Sequence, residues 1–140
     1  MKTFIISLLF GCVVLLAQSA SIEKKIYTHI LHSLYPQSKG IKVWADTQSK
    51  REMLQSIPKV KIVTKPEDAD FILVQKKKDL NTKGLIFATD YHTLEHYKKS
   101  AIGGFYWQKG RPNILFLKPN LLKHRITLPK DMQEYIEDTL

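Results

Sequence analysis

Hydrophobic residues run unbroken from Phe4 to Ala17 apart from Ser7 and Gly11, behind the single charge of Lys2 and ahead of small polar residues. This three-part layout predicts a cleavable secretory signal. The run is shorter than the roughly 20 residues a spanning helix needs, and Ala17-Gln18-Ser19 offers small side chains to a signal peptidase. We expect a signal over residues 1–20 and one domain over 21–140, with cleavage near Ser19 or Ala20. A competing reading takes Leu9-Phe10-Gly11-Cys12 as a lipobox with Cys12 acylated, although Phe10 is bulky for such a site.

After the signal the spacing changes. From Ser21 to Tyr35, Ile22, Ile26, Ile30, Leu31 and Leu34 recur every three to four residues, predicting an amphipathic helix stopped by Pro36. Ile41–Ala45 reads as a first strand, and Asp46-Thr47 as the cap of a helix with Met53, Leu54 and Ile57 on one face. Val60–Val63 reads as a short strand and Lys65–Ala69 as a turn or single helical turn. Phe71–Val74 is a continuous apolar strand of the kind buried on both faces, hence central. Lys76–Lys83 is a loop, Leu85–Ala88 another buried strand, and Asp90 caps a helix from about Tyr91 to Ser100. Gly103–Trp107 and Asn113–Leu117 form a hairpin around Gln108–Pro112. Pro119–Lys123 makes one helical turn, and Pro129 opens a last helix carrying Met132, Tyr135 and Ile136. The fold class expected is α/β: a single domain, a mainly parallel sheet with flanking helices, and an antiparallel hairpin on the C-terminal side.

Composition narrows the chemistry. Removing the signal removes Cys12, the only cysteine, so the exported domain holds no disulfide and thiol catalysis is excluded. About 120 residues suffice for one hydrophobic core and leave little room for a second. Against 13 Asp and Glu stand 22 Lys and Arg, a net charge of +9 of which Lys2 carries one. Export makes nucleic acid an implausible partner for this basic surface, leaving anionic solutes, acidic protein surfaces and lipid headgroups, or simple solvation.

His92-Thr93-Leu94-Glu95-His96 fits the H-x-x-E-H form in which two histidines on one helical face hold zinc while Glu95 activates water. A protease of that kind also needs a downstream acidic ligand and a cleft, so surface histidines are the plainer account and no metal or cofactor is expected. His29 and His32 lack a carboxylate at ligand spacing. Gly103-Gly104 opens a strand, not a helix, so no phosphate-cradling loop is present, nor is there a G-x-S-x-G elbow.

Two surfaces remain. In an open parallel sheet ligands bind beyond the carboxyl ends of the strands, which here gathers Asp46, Thr89, Asp90 and Tyr91 as candidate ligand-binding residues. Helix N-termini there favour an anion unless Asp46 and Asp90 already satisfy them as caps. The hairpin supplies candidate partner-binding residues in Tyr106, Trp107, Lys109, Arg111 and Asn113, since Trp, Tyr and Arg dominate binding hot spots. Phe105 and Trp107 share one strand face and Tyr106 the other, so some of these rings must be core.

The order of landmarks also resembles a known family. An N-terminal helix, Pro66-Glu67-Asp68-Ala69-Asp70 before a buried strand, the Gly103-Gly104-Phe105 hairpin, Asn120-Leu121 after the last strand and a closing Ile126-Thr127-Leu128 are similar to the YfiR-type periplasmic regulators. The resemblance spans most of the exported chain. It implies a non-catalytic periplasmic module that binds the periplasmic part of a membrane diguanylate cyclase and holds it inactive. Cysteine pairs typical of those regulators are missing, so redox control does not carry over, and no binding residue transfers one by one. A small periplasmic solute-binding protein for an anionic ligand is the alternative expectation.

Overall fold

The computed structural model describes residues 19–76 and 78–140. Residues 1–18 of the expected secretory signal, with the Cys12 lipobox, fall outside that range.

Alternation along the strands builds the core. In the strand Phe71–Val74, Phe71 and Leu73 join one apolar cluster and Ile72 and Val74 the other, because successive side chains leave a strand on opposite faces. The helix over 19–34 (α1) covers the first face with Tyr27, Ile30 and Leu31, each fully buried. It ends where Pro36 was expected to stop it. The helix Gln48–Gln55 (α2) adds Leu54 to that face, whereas the helix Tyr91–His96 (α3) sets Leu94 on the opposite one. The sheet is therefore covered on both sides.

Seven strands form it: Ile41–Ala45 (β1), Val60–Ile62 (β2), Phe71–Val74 (β3), Leu85–Ala88 (β4), Gly103–Gln108 (β5), Arg111–Leu117 (β6) and Ile136–Glu137 (β7). Their order is β2-β1-β3-β4-β5-β6-β7, and every pairing is parallel except β5 with β6. The single-domain α/β expectation holds, and β3 is interior as its apolar run required. The chain steps outward from β1 to β2, then crosses back to β3 on the other side of β1. That reversal makes a switch point between β1 and β3.

Four expectations need correction. The hairpin loop is not Gln108–Pro112 but the two residues Lys109 and Gly110, at φ 51° and 75°. Both central residues at positive φ give a tight turn whose twist matches the strands, so pairing extends to Gln108 and Arg111. The helix after Asp90 stops at His96, short of Ser100. The last helix is a 3-10 segment, Lys130–Tyr135, and Ile136 leaves it to start β7 beside Phe116. The helix Lys118–Lys123 (α4) occupies the expected turn. Asp46 is the fourth correction, described below.

Glycine is required where β5 meets its neighbours. A Cβ on Gly103 would lie 2.1 Å from the Leu115 carbonyl oxygen. That close approach fixes the register Gly103 to Phe116 and hence how far the hairpin projects.

Candidate functional site

β1, β3, β4 and β5 run parallel, so Asp46, Gln75, Thr89 and Gln108 all lie at or just beyond their carboxyl ends, along one edge of the sheet. β6 runs the other way and starts at that edge with Arg111. Every candidate site residue thus belongs to one rim, but the rim has two separate parts.

At the β1–β3 switch point the Asp46 carboxylate accepts hydrogen bonds from Gln75 N (3.0 Å to Oδ1) and Lys76 N (2.8 Å to Oδ2). Asp46 does not cap α2: the N-cap is Thr47, whose side chain makes no capping bond. The sequence places Asp46 just before a helix, yet the sheet order puts it against the end of β3, where two backbone N–H groups converge. Those donors, the natural receptors for an anion, are filled by the chain's own carboxylate.

Asp90 does cap its helix. Its Oδ1 accepts from Thr93 N at 2.8 Å, and the Thr93 hydroxyl lies 2.9 Å from Asp90 Oδ2 and 2.7 Å from the Gln75 carbonyl oxygen. This ties the first turn of α3 to the end of β3 and ends β4 at Ala88.

β5 continues where β4 stops. The last β4–β5 pair is Ala88 with Gly104, whereas β5 stays paired to β6 through Gln108. Four residues, Phe105 to Gln108, therefore project beyond β4, about 13 Å of strand. Between this overhang and the start of α3 lies a concavity of about 670 Å³ lined by Thr89, Asp90, Tyr91, His92, Tyr106, Trp107 and Gln108. Tyr91 and Trp107 are 43% and 40% exposed, while Phe105, on the same strand face as Trp107, is 2% exposed and packs on Tyr27. The core thus ends at Phe105. The Tyr91 and Tyr106 rings meet edge to face at 5.7 Å, and burial, then the Tyr91 hydroxyl, pushes the Tyr106 phenol pKa up.

A second concavity, of about 570 Å³, is lined by Gln108, Lys109, Arg111 and Asn113, so Gln108 joins it to the first. Neither Lys109 nor Arg111 has an ion-pair partner among the described residues. The fold thus unites Thr89, Asp90 and Tyr91 with Tyr106 and Trp107, sets Lys109, Arg111 and Asn113 alongside, and leaves Asp46 apart. Sequence reasoning missed His92 and Gln108 as lining residues. Adjacency to Tyr91 was the available signal for the first, and the true turn length for the second.

His92 and His96 are exposed and lie edge to face with Tyr91 and Tyr97. Among the described residues no group of three or more His, Cys, Asp or Glu could hold a metal ion. His29, expected to stand alone, pairs through Nε2 with Asp131 Oδ2 at 2.7 Å, a contact made by chain folding and not by local spacing. No helix among the described residues is long and apolar enough to cross a membrane. Compared with protein-family models, curated proteins and solved structures, the chain matches none.

Proposed function

We propose that this chain is an exported, non-catalytic regulatory module that binds the periplasmic part of a membrane signalling protein, such as a diguanylate cyclase, and controls it by contact. The observation that carries this reading is the overhanging hairpin, which beyond β4 exposes Trp107 on one face, sets Tyr106 against Tyr91 on the other, and places alongside them an Arg111 with no ion-pair partner among the described residues. Large half-exposed aromatics next to an arginine are the usual anchors of protein interfaces. The secretory layout of residues 1–20 and the YfiR-like order of landmarks supply the compartment and the class of partner.

The anionic-solute alternative loses support at Asp46 and Asp90. Both carboxylates already take the N–H donors an anion would need, and each adds negative charge where the anion would sit. The test is a crosslinking pull-down from the cell envelope with retained proteins identified by mass spectrometry. Recovery of a cyclase or sensor kinase with the wild type, reduced with Trp107→Ala and Arg111→Ala, is expected. Recovery of transporter subunits alone, or equal recovery by all three proteins, overturns the proposal.

A further inference from the structure

The hairpin's main chain narrows what the partner brings to this site. In an antiparallel pair, opposed residues alternate between pairs that exchange N–H···O bonds and pairs whose backbone groups point away from each other. Trp107 is opposed by Pro112, which has no N–H to give. Leu117 N donates to the Ile102 carbonyl oxygen at 2.8 Å, which sets the same phase from the other end of the hairpin. Counting by twos from Ile102, Gly104, Tyr106 and Gln108 face β6, while Phe105 and Trp107 turn their backbone groups toward the β4 side. β4 has ended at Ala88, so Trp107 N–H and C=O open on the concavity with no strand opposite them.

An open strand flank of this kind is a template for one more strand. The charges around it are segregated. Lys109 and Arg111 at the tip have no ion-pair partner among the described residues, while the Asp90 carboxylate, bonded to Thr93 N, stands at the α3 end of the concavity, so acidic groups are favoured at the tip end alone. We infer that the concavity between α3 and β5 receives an extended, acidic peptide segment of the partner, which adds as a strand to the open flank of Trp107. Its side chains alternate between Tyr91 and Tyr106 on one face and Trp107 on the other, and its carboxylates meet Lys109 and Arg111. This rests on the proposed contact function and specifies its chemistry.

The test is selection of short random peptides displayed on phage against the purified protein. The enriched sequence is then synthesised unmodified, N-methylated at alternate amides on one edge, N-methylated on the other edge, and with Asp and Glu changed to Asn and Gln. Enriched peptides should alternate acidic with β-branched or aromatic residues. N-methylation of one edge should weaken binding roughly tenfold and of the other edge little, as expected for losing a strand hydrogen bond. Binding should weaken with salt, and Arg111→Ala should flatten that dependence. No enrichment, equal loss from both methylated edges, or full affinity of the Asn/Gln peptide overturns the inference. The methylated series uses wild-type protein, so it stands even if a hairpin variant fails to fold. A cyclase or kinase recovered from the envelope while the peptide arms fail would sink strand addition and keep contact regulation. The converse pair of results would keep the strand site and sink the signalling partner.

Discussion

Alanine at Gly103 should destabilise the protein far more than alanine at Gly104, and alanine at Gly40 should stabilise it. A Cβ at Gly103 would sit 2.1 Å from the Leu115 carbonyl oxygen and 3.0 Å from Phe116 Cα, both backbone atoms held in the β5–β6 ladder. Relief requires moving a strand. Overpacking of this kind costs about 3 kcal/mol, offset by roughly 0.5 kcal/mol from a less flexible unfolded chain. Gly104→Ala meets Ala88 O at 3.0 Å and the Leu94 side-chain end, Cδ2, at 3.3 Å, so a loss of about 1 kcal/mol is expected. Gly40 has nothing within 4 Å and no positive φ, so alanine there should add about 0.5 kcal/mol. Urea unfolding followed by circular dichroism measures all three, with m unchanged if only stability moves. For a domain of this size the Gly103 variant should melt about 10 °C lower. Gly103→Ala within 0.5 kcal/mol of wild type, or less stable Gly104→Ala, would show that β5 and β6 do not pack in this register.

Three further outcomes follow from polar groups of the core and the rim. Tyr27 is fully buried with its hydroxyl unpartnered among the described residues, so Tyr27→Phe should keep the ring contacts to Phe87 and Phe105 and raise stability by about 1 kcal/mol in the same urea assay. Burial, then the charge of Asp70, holds the Tyr35 phenol well above its ordinary pKa; a pKa raised on folding means stability is complete below about pH 10 and falls as pH rises further. Urea midpoints between pH 8 and 11 should therefore fall less steeply in Tyr35→Phe, and identical slopes would refute the burial argument. Asp46→Ala should cost about 1 kcal/mol by exchanging the carboxylate bonds of the exposed Gln75 N and Lys76 N for hydration, and should create sulfate-dependent thermal stabilisation that the wild type lacks.

The strands were legible because burial on both faces leaves no room for polar residues in Phe71–Val74 or Leu85–Ala88, and helix α1 because its apolar spacing matches one covered face. What escaped the sequence was set by neighbours distant in the chain. Pro112 looked like a loop residue, yet a missing N–H does no harm opposite Trp107, where the pair exchanges no hydrogen bonds, and so the strand runs on to Arg111. Met132, Tyr135 and Ile136 have helical spacing, but Ile136 is drawn into the ladder by the free flank of β6. Asp46 has the position of a cap; only the order β2-β1-β3 brings the N–H groups of Gln75 and Lys76 to it. Asp131 reaches His29 across 102 positions of sequence.

The location of the site follows from a mismatch of lengths. β4 needs β3 and β5 beside it and ends at Ala88, where Asp90 turns the chain into α3. β5 carries its own partner in β6 and can grow past that point without β4. Each residue added beyond Gly104 therefore lengthens a ribbon with one paired flank and one open flank. Past Phe105 only Tyr106 still packs against a core cluster, so the exposure of Trp107 is a property of the overhang and not of imperfect packing. At the switch point, where an open α/β sheet ordinarily receives its ligand, Asp46 occupies the N–H donors from within. On the proposed reading, recognition is thereby displaced along the rim from a small-molecule cleft to a projecting, aromatic, positively charged strand edge, a surface suited to another polypeptide.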